Sequence, residues 1–89
     1  MAIDQIITGN EVSAVANPSG ASVDVIAVGE TDPSGHVLLE FKTASMADYR
    51  PMAVLNPDTK MIMATPDTTI SYRFRGVNLT GDIYVYLGP

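Results

Sequence analysis

Proline punctuates this chain in four turn-forming tetrapeptides, Asn17-Pro18-Ser19-Gly20, Asp32-Pro33-Ser34-Gly35, Asn56-Pro57-Asp58-Thr59 and Thr65-Pro66-Asp67-Thr68. Proline presets φ for the second position of a type I turn, Asn or Asp at the first position bonds the backbone ahead of it, and glycine tolerates the exit. Between the turns lie short apolar segments whose side chains alternate with period two, the pattern of half-buried strands. No segment is long enough for an amphipathic helix. The pattern therefore specifies an all-β body of about seven short strands, a small antiparallel β-sandwich (Ig-like or jelly-roll-like) or a barrel.

Residues 1–10 carry Ile3, Ile6 and Ile7 ahead of Gly9-Asn10 and read as an N-terminal arm; residues 11–89 read as one β domain, with 11–16 its first strand. Residues 22–29 set Val23, Val25 and Ala27 against Asp24, Ile26 and Val28. Residues 37–43 set Val37, Leu39 and Phe41 against Leu38, Glu40 and Lys42, and the two segments are expected to pair as an antiparallel hairpin. The spacing of Ser45 and Asp48 matches a capping box and predicts one helical turn before Pro51. Short strands follow at 52–55 and 60–64, the latter holding Met61-Ile62-Met63, apolar on both faces as in a central strand or in one whose outer side meets another subunit; the core is the simpler assignment. In the last third, Ile70, Tyr72 and Phe74 alternate with Ser71, Arg73 and Arg75, while Ile83, Val85 and Leu87 alternate with Tyr84 and Tyr86. A loop at 76–81 joins these two runs into a second expected hairpin.

A domain of 89 residues leaves much of its surface exposed on folding. With no cysteine and a single histidine, His36, the chain has neither a disulfide nor a histidine-rich metal site to staple it. Hydrophobic residues make up 46% of the sequence and charged residues 17%, which leaves self-association, as a dimer or trimer, to cover apolar surface. The formal charge of −5, with Lys42, Arg50, Lys60, Arg73 and Arg75 scattered along the chain, argues against nucleic acid as a partner. The N-terminal residues lack the basic and long apolar regions of a signal peptide, and no window approaches a membrane span, so a soluble product made in the cytoplasm with no membrane partner is expected.

Enzymatic constellations are sparse. His36 is the only imidazole; Ser34 lies two residues away, but no nucleophile elbow frames the pair, and an exposed loop histidine is the simpler assignment. Asp58 and Asp67 occupy Pro-Asp-Thr turns, where a short acid is ordinary turn chemistry rather than half of a glycosidase pair. A calcium site from Asp24, Asp32, Asp58 or Asp67 lacks the Asp-x-Asp-x-Asp spacing of a calcium loop. Asn78-Leu79-Thr80 matches the glycosylation sequon without a secretion signal to make use of it. The expectation is a non-enzymatic protein with no metal and no cofactor.

The residues that remain are those suited to contacts. Arg73, Arg75, Tyr84 and Tyr86 share the outward face of the expected terminal hairpin, and Tyr with Arg is the composition of interface hot spots. Together with Ile3, Ile6 and Ile7 of the arm, they form the expected partner-binding set. The small, acidic, β-rich plan and the closing run Ser71-Tyr-Arg-Phe-Arg-Gly-Val-Asn-Leu-Thr-Gly-Asp-Ile-Tyr-Val-Tyr-Leu87 resemble the head decoration or cement proteins of tailed bacteriophages. That resemblance implies a virion structural protein on the capsid surface, made in the host cytoplasm and present in many copies. Its partner would be the major capsid protein lattice or another virion protein, and its role the stabilisation of contacts between capsid subunits. A carbohydrate-binding or adhesin module using Tyr84 and Tyr86 as a stacking platform is the alternative.

Overall fold

Alternating side chains become two facing layers. In the computed structural model, which describes residues 2–18, 22–29, 35–56, 58–65, 67 and 69–89, the strands are β1 (Ile3–Gly9), β2 (Ser22–Gly29), β3 (His36–Lys42), β4 (Arg50–Leu55), β5 (Thr59–Ala64), β6 (Ser71–Val77) and β7 (Leu79–Gly88). They form a four-stranded sheet in the order β1-β7-β2-β5 and a three-stranded sheet in the order β4-β3-β6, every pairing antiparallel. Ile3, Ile7, Val25, Ile83, Val85 and Leu87 from one sheet and Val37, Leu39, Leu55, Tyr72 and Phe74 from the other are buried in a single core. The thinnest extent of the molecule is 17 Å. That thickness suits two sheets packed ~10 Å apart, so the expected all-β body of seven short antiparallel strands is the fold, with the two layers of a small sandwich-like barrel.

The pairing of strands departs from the sequence pattern. Only β3 and β4 are consecutive neighbours in a sheet. β2 pairs with β5 and β7 rather than with β3, and β6 pairs with β3 while β7 pairs with β1 and β2. Neither expected hairpin forms. Between β6 and β7 the chain turns at the single residue Asn78, whose φ of 52° is left-handed, and crosses from one sheet to the other. A type I′ hairpin turn needs positive φ at both central positions, which Asn-Gly supplies; here Asn78 is left-handed and Leu79 after it is not. Asn10 Oδ1 accepts the Asn78 N–H at 2.9 Å. Gly35 closes the corner from the other side: a Cβ there would lie 2.6 Å from the carbonyl oxygens of Val77 and Asn78, so only glycine fits.

Residues 3–9, expected as an arm, are the edge strand β1, paired from Ile3↔Leu87 to Ile7↔Ile83. The i, i+4 spacing of Ile3 and Ile7 puts both inward on a period-two strand, and Ile6 outward. Residues 11–16, expected as a strand, instead touch β6 at two isolated bridges, Val12↔Arg75 and Ala16↔Tyr72. This segment seals that side of the sandwich: Ser13 N–H donates to Phe74 O at 2.8 Å, and Ser13 Oγ accepts the Phe74 N–H at 2.8 Å. Ser45 to Asp48 holds no helical turn; a β-turn closed by Met46 N–H to Thr43 O at 3.1 Å leads into bends. The turn at 32–34 lies outside the described residues, as do Ser19, Gly20, Pro57, Pro66 and Thr68 of the other proline turns. Asp67 does act as turn chemistry predicts, accepting from Thr69 N–H at 2.9 Å and Thr69 Oγ1 at 2.6 Å.

Phe74 is fully buried at the centre of β6, directly opposite Leu39. Phe74→Ala is expected to cost about 3–5 kcal/mol in urea unfolding, because the rigid sheets on either side cannot collapse into the space. Tyr72 supplies a pH signature. Burial, and secondarily the Asp67 carboxylate, hold its phenol above the ordinary value of 10.0. The folded protein therefore keeps that proton more tightly than the unfolded chain, and the resulting stability is present below about pH 10 and lost as pH rises through the raised folded value. Unfolding measured from about pH 8 to about pH 11 is expected to weaken less steeply for Tyr72→Phe than for the native chain.

Candidate interaction surfaces

With the inner rows consumed by the core, chemistry is left to the two outer faces. On the four-stranded sheet, the register aligns the outward residues in rows that cross the strands. Ile6 stands opposite Tyr84, and Tyr84 opposite Val28. The next row runs Asp4, Tyr86, Ile26, Lys60, and the next Gly88, Asp24, Ile62. Ile6 is 54% exposed and Ile62 72%, far beyond what isolated surface residues of an acidic domain need. The tyrosines are half-buried and their polar tips are engaged. Tyr86 Oη donates to Pro89 O at 3.0 Å, and a hydrogen bond to the Asp4 carboxylate lifts the Tyr84 phenol above its ordinary pKa.

The three-stranded sheet presents a different surface. Glu40 lies on the outward row of β3, opposite Arg73 on β6 and Pro51 on β4, yet it is only 4% exposed. Its carboxylate is covered by two guanidiniums: Arg73 Nε donates to Oε1 at 2.8 Å and Arg75 Nε to Oε2 at 3.1 Å. The guanidinium of Arg73 in turn lies 4.0 Å over the ring of Tyr49, a cation–π contact. Beside it, an open depression of about 400 Å³ is lined by Met46, Ala47, Asp48, Tyr49 and Arg50. Lys42 continues the outward row of β3, so this sheet and its flanking loop gather four of the chain's five basic side chains.

The expected partner-binding set is thereby divided. Ile6, Tyr84 and Tyr86 come together on one outer face. Arg73 and Arg75 lie on the other sheet, because β6 and β7 never pair, and the Arg/Tyr patch of the sequence reading does not exist. Ile3 and Ile7 are each 1% exposed and belong to the core, unavailable to a partner while β1 is in place. Met61 and Met63 face inward and are half-buried, whereas Ile62 between them is the most exposed large apolar side chain described. The Glu40–Arg73–Arg75–Tyr49 cluster was not singled out from the sequence. Its one trace there is the pairing of an acid on β3 with alternating arginines on β6, which becomes visible only once the register is known.

The remaining polar candidates are scattered. His36 is half-buried at the start of β3, opposite Val77, and Ser34 lies outside the described residues. Asp58 Oδ1 accepts the Gly29 N–H at 2.9 Å, Asp67 is occupied by Thr69, Asp24 sits on the outer face of β2, and Asp32 is outside the described residues. Among the described residues, no group of three or more His, Cys, Asp or Glu side chains is placed to hold a metal ion. Compared with protein-family models, curated proteins and solved structures, the chain matches none.

The geometry at Glu40 makes an asymmetric prediction. Truncating both arginines removes the partners of the Glu40 carboxylate together with the side chains that keep water from it, so the Arg73→Ala, Arg75→Ala double variant is expected to lose about 2 kcal/mol. Glu40→Leu is expected to cost less than half of that, because both guanidiniums are partly exposed and can turn to water. Denaturant unfolding of the two variants side by side gives the comparison; equal losses would mean the cluster is held by packing alone.

Proposed function

We propose that this protein is a non-enzymatic structural module that docks on a protein lattice through the outer face of its four-stranded sheet. The observation that carries this reading is the continuous row Ile6–Tyr84–Val28, apolar and aromatic across three strands, with Tyr86 and Ile26 in the row beside it. Half-buried tyrosines with engaged hydroxyls offer area at little conformational cost, the property of interface anchors. An open sheet face with only a shallow depression beside Asp24 and Ile62 suits a broad protein surface better than a small ligand.

Within that reading, the resemblance to phage head decoration proteins names the partner class: a major capsid protein lattice, decorated by many copies that stabilise its subunit contacts. Repetition makes modest single contacts strong in sum. Docking through an N-terminal arm is withdrawn, since residues 3–9 are built into the sheet. Ile6→Lys and Val28→Lys, both at exposed outward positions, are expected to weaken co-sedimentation with capsids at least tenfold while leaving the melting curve unchanged. If the variants bind as tightly as the native chain, the face is not the docking surface. Glycan-array binding abolished by Tyr84→Ala would instead favour the adhesin reading, for which the spacing of Tyr84 and Tyr86 on one exposed face is the supporting observation.

A further inference from the structure

Each sheet of an open sandwich ends in strands whose outer N–H and C=O groups have no neighbour in the sheet, and stable proteins block such edges. Three of the four edges here carry a block. β1 is broken by a bulge between Ile7 and Gly9. β4 contains Pro51, which has no N–H, and is irregular where it passes Leu39 and Glu40. β6 is covered by the segment bridging at Val12 and Ala16. Among the described residues β5 carries neither a bulge, a proline nor a covering segment: its register with β2 is unbroken from Ser22↔Ala64 to Ala27↔Thr59, and its one charge is Lys60.

The structure assigns the β5 edge to a second copy of this chain, paired antiparallel about a twofold axis midway between the two Ile62 residues. Identical edges satisfy each other's backbone groups under a twofold, the arrangement of isologous dimers. The side chains fit that register. Ile62 meets Ile62 of the second copy, and Lys60 stands opposite Ala64 rather than opposite another cation. On the inner face Met61 stands opposite Met63. Both methionines are packed against the core yet half-exposed, and the second copy completes their burial with side chains that adapt to each other. The two outer faces then merge into one eight-stranded surface that doubles the row proposed for docking. A junction of six residues spans only about 20 Å, less than a tight dimer needs, so affinity in the micromolar range is expected.

This assignment rests on the multi-copy reading above only for its premise that the chain self-associates, and the experiment separates the two. Native mass is measured by sedimentation equilibrium from about 10 μM to about 1 mM for the native chain and for Ile62→Lys, Ala64→Glu, Ala64→Lys and Ile6→Lys. The native chain is expected to pass from 9.5 kDa to twice that mass with rising concentration. Ile62→Lys, at an exposed position that leaves the fold intact by thermal melt, is expected to weaken the dimer at least tenfold. Ala64→Glu should tighten it by about threefold, through two new pairs with Lys60, and Ala64→Lys should loosen it by a similar factor. A chain that stays at 9.5 kDa throughout overturns the assignment. So does a dimer indifferent to Ile62→Lys and the Ala64 variants but broken by Ile6→Lys, an outcome that leaves docking through the sheet face standing.

Discussion

The fold depends on one constraint: two sheets must cover each other's apolar rows while a short chain moves repeatedly between them. The connections β2 to β3, β4 to β5, β5 to β6 and β6 to β7 all change sheets, so the layers are laced together rather than stacked as independent hairpins. The tightest crossing is at Asn78, where one left-handed residue carries the chain from Val77 to Leu79 with Gly35 pressed against it. Every later feature follows from that crossing. It puts Tyr84 and Tyr86 on one outer face and Arg73 and Arg75 on the other, and it brings β7 between β1 and β2 as the central strand around which the aromatic row is built.

Which side chains share a face was legible in the sequence; which strands lie side by side was not. Period two correctly placed Val23, Val25 and Ala27 together, and likewise Ile83, Val85 and Leu87, because pleating is a local property of each strand. Pairing is set by non-local packing, and the shortest-connection rule favoured two hairpins that do not form. The same limit explains Ile3, Ile6 and Ile7. Read as an arm they form a single cluster, but on a strand the middle one reverses direction, and only Ile6 remains at the surface. Glu40 was invisible as a buried residue because its cover, Arg73 and Arg75, comes from a strand 33 and 35 residues further along the chain.

The two outer faces are finished differently. Over the β3–β6 half of the three-stranded sheet, a buried acid gathers two arginines, and one of these stacks on Tyr49, while Met52 and Val54 on the β4 edge stay exposed. Over the four-stranded sheet the described residues form no such ion cluster, and Ile6, Val28 and Ile62 meet solvent beside Asp4, Asp24 and Lys60. In a chain of net charge −5 whose cations mostly sit on one side, that asymmetry gives the sandwich a distinct front and back.

The adjacency of β1 and β7 has a mechanical consequence. Ile3 stands opposite Leu87, so the first and last strands enter and leave at the same end of one antiparallel ladder. Tension applied between the two ends would load those backbone hydrogen bonds one after another, like a zipper, instead of all at once in shear. A body built this way yields easily when pulled by its tails and resists only when gripped across its broad sides.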